Sequence, residues 1–410
     1  MNEQYTAQQQ KLENAITARL TEEAAMLLHD LWSERSSCVD DDLLKVTMKC
    51  IDECLTEFHI LEFHDRWGAE ILKSKEATSY LDSLSKYKTI RFSDITRNVI
   101  LGKDGYLFLS GGRHSVLDYI TGRKEPSSVS YENFSQNIKN RLKDCSSKNI
   151  LYKHIIYPDK HAVHSEKFPL DSYVCLGDEY LERSPELSNC LMYPKLSLRK
   201  AKQPFHKKDT HMADEGYCLL TAELMVELGL TKSVCYKIFE ELIRDLTGSS
   251  RYSGDLGSKL DPEDFDVKVD IAPSWSYAHY KNNLGISNDG LAELYFNKTA
   301  ITNWRIVVFG DSFSRLHSLF LSKIFRDVAF FRTRYYHQDI VDMAKPDVVL
   351  TGNAERYLSV VDKDENAPNF FLYPLLKGIG HAPDQAYAMA MNAFLSYGKP
   401  AYTNFKNTLN

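Results

Sequence analysis

A serine follows an apolar segment at the point where the sequence pattern changes to that of a helix. Residues 305–309 are mostly apolar, Gly310-Asp311-Ser312 comes next, and apolar side chains then recur at helical spacing. The N-terminus of a helix offers unpaired N–H groups and positive potential, which stabilise a nucleophilic oxygen and an oxyanion beside it. We therefore predict that Ser312 is a nucleophile at a strand-to-helix turn. The alternative is that Ser312 only caps the helix.

A serine hydroxyl is a weak nucleophile at neutral pH, so this chemistry needs a histidine base and a carboxylate that orients the histidine. Among the thirteen histidines, His211 follows Asp209 by two residues and precedes a segment with helical periodicity. This spacing lets the carboxylate hold Nδ1 of the imidazole while Nε2 faces the serine. Asp-x-His pairs are common by chance, so the weight of this pair comes from its partnership with Ser312. The expected triad is Ser312, His211 and Asp209.

The developing oxyanion needs hydrogen-bond donors close to the nucleophile. We expect one donor to be the backbone N–H of Ser312, and Asn353, after a predicted strand end, is a candidate for a second. A loop-capping role for Asn353 is the alternative. Gly310 and Asp311 belong to the same turn as Ser312 and are further candidates for oxyanion or substrate contacts.

Cationic side chains near these motifs could bind an anionic or oxygen-rich ligand. Arg332 and Arg334 are candidates for contacting an acyl or sugar oxygen, although a solvated sheet edge is the simpler interpretation. A second basic group precedes Asp209 and could attract the phosphates of coenzyme A or an acidic glycan, with a plain solvated loop as the alternative. Its members are Arg199, Lys200, Lys202, Lys207 and Lys208.

Strand and helix patterns alternate through the region that contains the candidate triad. Strands are predicted at 150–157, 305–309, 328–331 and 347–350, helices at 131–143 and 313–325, and a hairpin at 99–109 with its turn at 102–105. Strands that alternate with helices predict an α/β fold, with a parallel sheet that is covered by helices on both faces.

Helical periodicity dominates the first part of the chain. Apolar residues recur at helical spacing over 5–32 and again over 44–58, and a third helix is predicted to include Trp67, Ile71 and Leu81. A change to short apolar runs places a boundary near residue 92, between a helical N-terminal region (1–92) and a catalytic domain (93–410). The apolar stripes need a surface to cover them, which a homo-oligomer, a partner protein or the catalytic domain itself could supply.

Composition limits the classes of function and partner. The chain of 410 residues has a formal net charge of −6, which argues against nucleic acid as a partner. Its eight cysteines lack C-x-x-C spacing, so we expect reduced thiols and no metal site. The first thirty residues do not resemble a signal peptide, and no run of about eighteen apolar residues occurs. These observations predict a cytoplasmic protein without a transmembrane segment.

Several motifs, taken in order, resemble the SGNH hydrolase-like family of the alginate O-acetylation proteins AlgJ and AlgX. The resemblance spans about residues 95–360 and involves the segments 102–108, 157–160, 209–211, 254–256, 309–314, 345–349 and 355–356. It implies an SGNH (flavodoxin-like) fold, a Ser-His-Asp triad and O-acetyl transfer to a bacterial polysaccharide or glycan precursor. It also explains the order Asp, His, Ser, because these relatives are rearranged compared with ordinary SGNH hydrolases.

The sequence departs from this family in three respects. Met212 replaces the tryptophan that usually follows the catalytic histidine, which is expected to alter the floor of the acceptor site. About fifty residues follow Glu355-Arg356, too few for the carbohydrate-binding module of some relatives, and the pair itself is expected to be a structural ion pair. We also expect this protein to have no export signal or membrane anchor of the kind that is typical of the relatives.

These departures leave the donor and the acceptor as expectations. We expect no bound cofactor, a carbohydrate as the acceptor, and acetyl-CoA as the acetyl donor, because acetyl-CoA is available in the cytoplasm. Two other functions fit the same residues. A carbohydrate esterase uses the same triad with water as the second nucleophile, and a noncatalytic glycan-binding or scaffold protein would keep only the fold.

Overall fold

The computed structural model describes residues 3–34, 41–55, 57–71, 73, 80, 98–112, 114–170, 172–260, 263 and 265–409. The helices of these residues are α1 (Glu3–Thr17), α2 (Thr21–Glu34), α3 (Asp41–Glu53), α4 (Glu57–Ile71), α5 (Val116–Ile120), α6 (Ser128–Ser147), α7 (Lys160–Val163), α8 (Leu176–Arg183), α9 (Lys195–Leu198), α10 (Asp214–Glu227), α11 (Lys232–Arg244), α12 (Gly257–Leu260), α13 (Ser312–Ile324), α14 (Gln338–Ala344), α15 (Tyr373–Leu376), α16 (Gln385–Leu395) and α17 (Pro400–Thr408). None of these described helices is both long enough and apolar enough to span a bilayer.

The strands are β1 (Val99–Leu101), β2 (Leu107–Leu109), β3 (Leu151–Tyr157), β4 (Leu191–Met192), β5 (Gly248–Tyr252), β6 (Asp266–Asp270), β7 (Ala278–Lys281), β8 (Ala292–Phe296), β9 (Thr302–Gly310), β10 (Phe325–Arg332) and β11 (Val348–Ala354). Seven of them form the central sheet in the order β4-β3-β11-β9-β10-β8-β7. The pairs from β4 to β10 are parallel, whereas β8 joins β10 and β7 in antiparallel register. The predicted sheet is therefore confirmed, with an antiparallel edge added.

Both faces of the sheet are covered, as the alternation of strands and helices predicts. Along β9, Ile306 and Val308 belong to a buried cluster that also contains residues of α10, α11 and α13. Val307 and Phe309, which point the other way, belong to a second cluster with residues of α6, α14 and α16. Full burial of each such side chain stabilises the fold by roughly 1.5–3 kcal/mol. The alternating packing fixes the register of β9, and with it the position of the residues that follow this strand.

The helical N-terminal region differs from the prediction in where its helices end. The pattern over 5–32 forms two helices, α1 and α2, because the backbone turns at Arg19, which has a positive φ of 54°. The pattern over 44–58 likewise divides between α3 and α4, with the Leu55 N–H bonded to the Cys50 carbonyl at the break. Trp67 and Ile71 lie in α4 as predicted. Residue 81 and the predicted boundary near residue 92 lie outside the described residues.

The N-terminal helices share a hydrophobic core with the region that follows them. Buried residues of α1 to α4, such as Leu28 and Trp32, belong to one cluster with Ile100, Phe108 and Phe168. Among the surfaces proposed from the sequence, the chain's own later region therefore covers part of these helices. The predicted hairpin is also confirmed, since β1 and β2 pair in antiparallel register around the turn Lys103–Gly105.

A buried histidine in α13 makes the stability of the fold depend on pH. His317 is fully buried, with Nδ1 3.2 Å from the Tyr157 hydroxyl and Nε2 3.1 Å from Oγ1 of Thr221. Burial lowers the pKa of His317 to about 3. At pH values below about 6.5, the ordinary pKa of histidine, this side chain is protonated in the unfolded chain but stays neutral in the folded protein. The free energy of unfolding therefore falls as the pH decreases from about 6.5 to about 3.

We expect His317→Gln to weaken this dependence, because glutamine keeps hydrogen-bonding capacity and does not titrate. The measurement is the free energy of unfolding by urea at pH 7 and at pH 4.5 for both proteins. The decrease between the two pH values should be smaller in the variant by about 1–2 kcal/mol, somewhat less than the full linkage value for two pH units. An equal decrease in both proteins would contradict the assignment of His317 as a source of acid sensitivity.

Candidate active site

The turn between β9 and α13 is held by the side chain of Asp311. Oδ1 of Asp311 accepts the Phe313 N–H (2.9 Å) and caps the helix, while Oδ2 accepts the Ala354 N–H at the end of β11 (2.7 Å). The capping alternative for Ser312 is therefore wrong, because Asp311 caps the helix and Ser312 is its first residue. As the first residue, Ser312 presents an N–H that has no acceptor within the helix.

Gly310 allows the turn to pack closely. A Cβ atom at this position would lie 2.1 Å from Oγ of Ser314 and 2.7 Å from the Gly352 carbonyl oxygen. Gly310 pairs with Gly352 of β11 on one side and with Arg332 of β10 on the other. The nucleophile therefore follows directly from the carboxyl end of a central strand, where parallel sheets bind their ligands.

The three residues of the predicted triad are joined by hydrogen bonds. Nε2 of His211 lies 2.8 Å from Oγ of Ser312, and Nδ1 of His211 lies 2.6 Å from Oδ1 of Asp209. Ser312 and His211 are both partly exposed, whereas Asp209 is buried. The ring of His211 also packs on Phe313, with ring centroids 5.1 Å apart. In this arrangement the imidazole can take the Ser312 proton while the carboxylate stabilises the imidazolium.

Asp209 is surrounded by donors. Burial would raise the pKa of Asp209, but its hydrogen bonds with His211, from both the ring and the backbone N–H, outweigh this effect and hold the pKa well below its ordinary value. Oδ2 of Asp209 accepts a third bond from the backbone N–H of Asp255 (3.1 Å). Asp209 is therefore ionised at neutral pH, as an orienting carboxylate must be.

Asp255 fixes the loop that contains Asp209 and His211. Its two carboxylate oxygens accept from the backbone N–H of Thr210 (2.7 Å) and from the Thr210 hydroxyl (2.5 Å). Gly254, with a positive φ of 74°, lets the backbone approach, since a Cβ atom there would lie 2.0 Å from the Lys208 carbonyl oxygen. Residues 254–256 were noted for their resemblance to a family motif, but the sequence did not show that Asp255 contacts the catalytic loop.

Lys160 connects the same loop to the hairpin. Its buried Nζ donates to the carbonyl oxygens of Leu107 (2.8 Å) and Lys207 (2.9 Å), and the Lys207 carbonyl also accepts the Leu107 N–H (2.9 Å). Burial lowers the pKa of Lys160 to about 7, against the attraction of Asp209 and Asp255. We regard Lys160 as a positioning residue that the sequence analysis missed. Its signals were its place after Pro158 at a strand end and the resemblance of residues 157–160 to a family motif.

A cleft of about 210 Å³ lies at the carboxyl ends of β9, β10 and β11. It is lined by five residues that the sequence analysis proposed for oxyanion or substrate contacts, namely Gly310, Asp311, Arg332, Arg334 and Asn353. Tyr357 and His114 add aromatic surface to the same cleft. A cleft with aromatic and polar walls suits a hydroxyl-rich ligand.

The polar side chains of the cleft have protein partners of their own. Nδ2 of Asn353 donates to the Ala354 carbonyl (3.0 Å), Arg332 donates to Asn288 (2.7 Å), and Arg334 lies 3.2 Å from the Asp362 carboxylate. Their role in oxyanion or substrate binding stays a prediction. These contacts hold the side chains at the rim of the cleft before any ligand binds.

One expectation from the sequence is corrected. Glu355 and Arg356 do not pair with each other, because Arg356 forms an ion pair with Asp159 and the Glu355 carboxylate accepts the Asp159 N–H (3.0 Å). The effect of Met212 on the floor of the acceptor site stays a prediction. Met212 is 1% exposed and packs in the hydrophobic cluster below the loop.

Asp209, His211 and Asp255 also have ligand atoms within 4.8 Å of one another, which could hold a cation. A cation would have to replace the proton that Nδ1 of His211 shares with Asp209. The hydrogen-bonded triad accounts for the same geometry without a metal.

Neither the family models nor the curated proteins compared with this chain match it. Among solved structures, the chain is similar to Bacillus cereus PatB1, with 14% identity and a TM-score of 0.47 over 65% of this chain and 98% of that one. It is also similar to the O-acetyltransferase domain of Pseudomonas putida AlgJ (14% identity, TM-score 0.40, 68% and 99% covered) and to Pseudomonas aeruginosa AlgX (12%, 0.38, 72% and 70%). The resemblance to AlgJ and AlgX that the motifs indicated thus recurs as a likeness of structure.

Proposed function

We propose that this protein is an O-acetyltransferase that acts on a bacterial polysaccharide or glycan precursor through an acetyl-serine intermediate. The observation that supports the proposal is the chain of hydrogen bonds from Asp209 to His211 (2.6 Å) and from His211 to Ser312 (2.8 Å). It lies at a strand-to-helix turn that is next to an open cleft. Because the TM-scores of the structural relatives are below 0.5, the proposal rests on this geometry and on the sequence motifs.

In the first half-reaction, Oγ of Ser312 attacks the carbonyl carbon of the acetyl donor while its proton moves to Nε2 of His211. Asp209 stabilises the resulting imidazolium. The backbone N–H of Ser312, at the start of α13, is the donor best placed to stabilise the oxyanion. The tetrahedral intermediate then breaks its bond to the leaving group, which receives the proton from His211, and Ser312 is left acetylated.

In the second half-reaction, a hydroxyl group of the acceptor gives its proton to His211 and attacks the acetyl-serine. The acetyl ester of the acceptor forms, the bond to Ser312 breaks, and the serine recovers its proton from His211. Arg332, Arg334 and Asn353 line the cleft where we place the acceptor. Acetyl-CoA is the donor we propose, on the expectation of a cytoplasmic location. In that case the leaving group is the coenzyme A thiol.

The test measures two products, the acetylated Ser312 and the acetylated glycan. The full chain is incubated with acetyl-CoA, or with a chromogenic acetyl ester, and peptides are examined by mass spectrometry for acetyl-Ser312. Candidate glycans are then added, and acetyl on sugar is measured against free acetate. We expect acetyl-Ser312 without an acceptor, and its transfer to sugar when an acceptor is present.

The other outcomes separate the alternatives. Acetyl-Ser312 that yields only acetate with every glycan would replace the transferase by a carbohydrate esterase. Failure of both donors to acetylate Ser312 or to be consumed would argue for a noncatalytic glycan-binding or scaffold protein.

A further inference from the structure

Three side chains with metal-binding atoms meet below the candidate active site. His161 lies in α7, Cys175 precedes α8, and Glu355 follows β11, and all three are buried. One nitrogen of His161, the sulfur of Cys175 and one carboxylate oxygen of Glu355 lie within 4.8 Å of one another. Neither the sequence motifs nor the proposed reaction assigns a role to this group.

The chemistry of these atoms favours zinc. A thiolate, an imidazole nitrogen and a carboxylate oxygen are the ligands that Zn²⁺ takes in proteins, with tetrahedral geometry and bonds of about 2.0–2.3 Å. Such bonds place ligand atoms about 3.5 Å apart, so a shift of roughly 1 Å would bring the three atoms to bonding distance. Hard cations such as Mg²⁺ and Ca²⁺, which prefer oxygen ligands, fit the thiol poorly.

A bound zinc ion would balance the charges of this group. The Glu355 carboxylate accepts backbone N–H groups from Asp159 and Gly177 (3.0 Å each). Among the residues that the structure describes, no cationic side chain lies within salt-bridge distance of it, since the neighbouring Arg356 pairs with Asp159. A buried carboxylate without a cationic partner takes up a proton or coordinates a metal, and burial raises the pKa of Glu355 to about 7. Zn²⁺ with one thiolate, one carboxylate and a neutral imidazole has no net charge.

The surroundings allow a bound ion and orient one of its ligands. A cavity of about 10 Å³, at the lower limit of what holds one water molecule, is lined by His161 and Glu355. Metal-binding histidines commonly direct their second ring nitrogen to a carbonyl group, and Nε2 of His161 lies 3.2 Å from the Val174 carbonyl oxygen.

We propose that His161, Cys175 and Glu355 form a structural zinc site that joins α7, the start of α8 and the end of β11. On binding, the S–H bond of Cys175 breaks, a bond between sulfur and zinc forms, and the proton leaves to solvent. The bound zinc ion would hold these three segments together next to the candidate active site. Its neighbour Arg356 lies 5.3 Å from the ring of Phe313, the residue after Ser312.

The first measurement is the zinc content of the full chain. The protein is purified with zinc present, dialysed to remove loosely held ions, and analysed for metal and protein. We expect about one zinc per chain in the unaltered protein and a loss of roughly ten-fold or more in Cys175→Ala. The matched control is Cys190→Ala, which removes another buried thiol, 3.2 Å from the Leu187 carbonyl, and should leave the zinc content unchanged.

The second measurement uses Co²⁺ in place of zinc, and its result for the unaltered protein does not depend on the folding of a variant. Binding through Cys175 should give the charge-transfer absorption of a cobalt–thiolate bond, and Cys175→Ala should lack it. An ion held by Asp209, His211 and Asp255 cannot give this absorption, since that group has no sulfur. The proposal is overturned if the unaltered protein holds almost no zinc and shows no thiolate absorption, or if folded Cys175→Ala keeps the full zinc content.

Discussion

Ser312→Ala is expected to lower the rate of acetyl transfer by at least about 10³-fold, because the variant has no atom that can form the acetyl ester. A decrease of this size corresponds to roughly 4 kcal/mol of lost transition-state stabilisation. The variant should also show no acetylated peptide at position 312. The measurements are the initial rate of donor consumption at saturating donor and the mass of the peptide that contains residue 312.

Folding should be almost unaffected by this change. The partly exposed Ser312 hydroxyl has His211 as its hydrogen-bond partner, and the helix keeps its cap, since Asp311 supplies it. We expect the free energy of unfolding to change by less than about 1 kcal/mol. Ser318→Ala, in the same helix, is the matched control. It removes a hydroxyl that bonds to the Ser314 carbonyl (2.9 Å) and should keep full activity. A Ser312→Ala protein with activity within about ten-fold of the unaltered protein would remove the serine mechanism.

The residues of the proposed triad could be predicted from the sequence because each of its two halves lies within a short segment of the chain. Asp209 and His211 are two residues apart, and Ser312 follows the apolar segment that becomes β9, so each half is visible in a short window. What the sequence could not show is the distance between the halves, which depends on the path of the chain between residues 211 and 312. In the structure, Nε2 of His211 and Oγ of Ser312 lie 2.8 Å apart, within hydrogen-bond distance.

The supporting contacts were missed because they join residues that are far apart in the chain. Asp255 bonds to Asp209 across 46 positions, and the Lys160 side chain bonds to the Lys207 carbonyl across 47. An aspartate or lysine in a loop has no sequence feature that distinguishes such a contact from simple solvation. The same reason applies to Cys175, whose spacing to other cysteines gave no sign that His161 and Glu355 lie beside it.

The predictions of where helices end were wrong for a different reason. The break after α1 depends on a left-handed residue, Arg19, and neither glycine nor proline marks the place. Apolar spacing continues across the break, so periodicity predicts one helix where the backbone forms two. In the sheet, by contrast, every predicted strand was found, because runs of buried apolar residues interrupt the helical period.

Asp209→Asn is expected to lower the turnover rate by about 10³–10⁴-fold with little change in KM. Asp209 accepts at both oxygens, from His211 on one side and from the Asp255 N–H on the other. An asparagine has only one acceptor oxygen, so its NH₂ group must face one of these donors. If it faces Nδ1 of His211, it forces the proton to Nε2, and the imidazole can no longer accept the proton of Ser312.

Asp255→Asn is the matched comparison, because Asp255 lies in the same network and 4.0 Å from Nδ1 of His211. One of its partners is the Thr210 hydroxyl, which can reverse its role and accept from an asparagine NH₂, while the remaining oxygen still accepts the Thr210 N–H. We therefore expect activity within about ten-fold of the unaltered protein. If Asp255→Asn instead proves the more damaging change, then Asp255 is the carboxylate that orients His211, and the assignment of Asp209 to the triad is wrong.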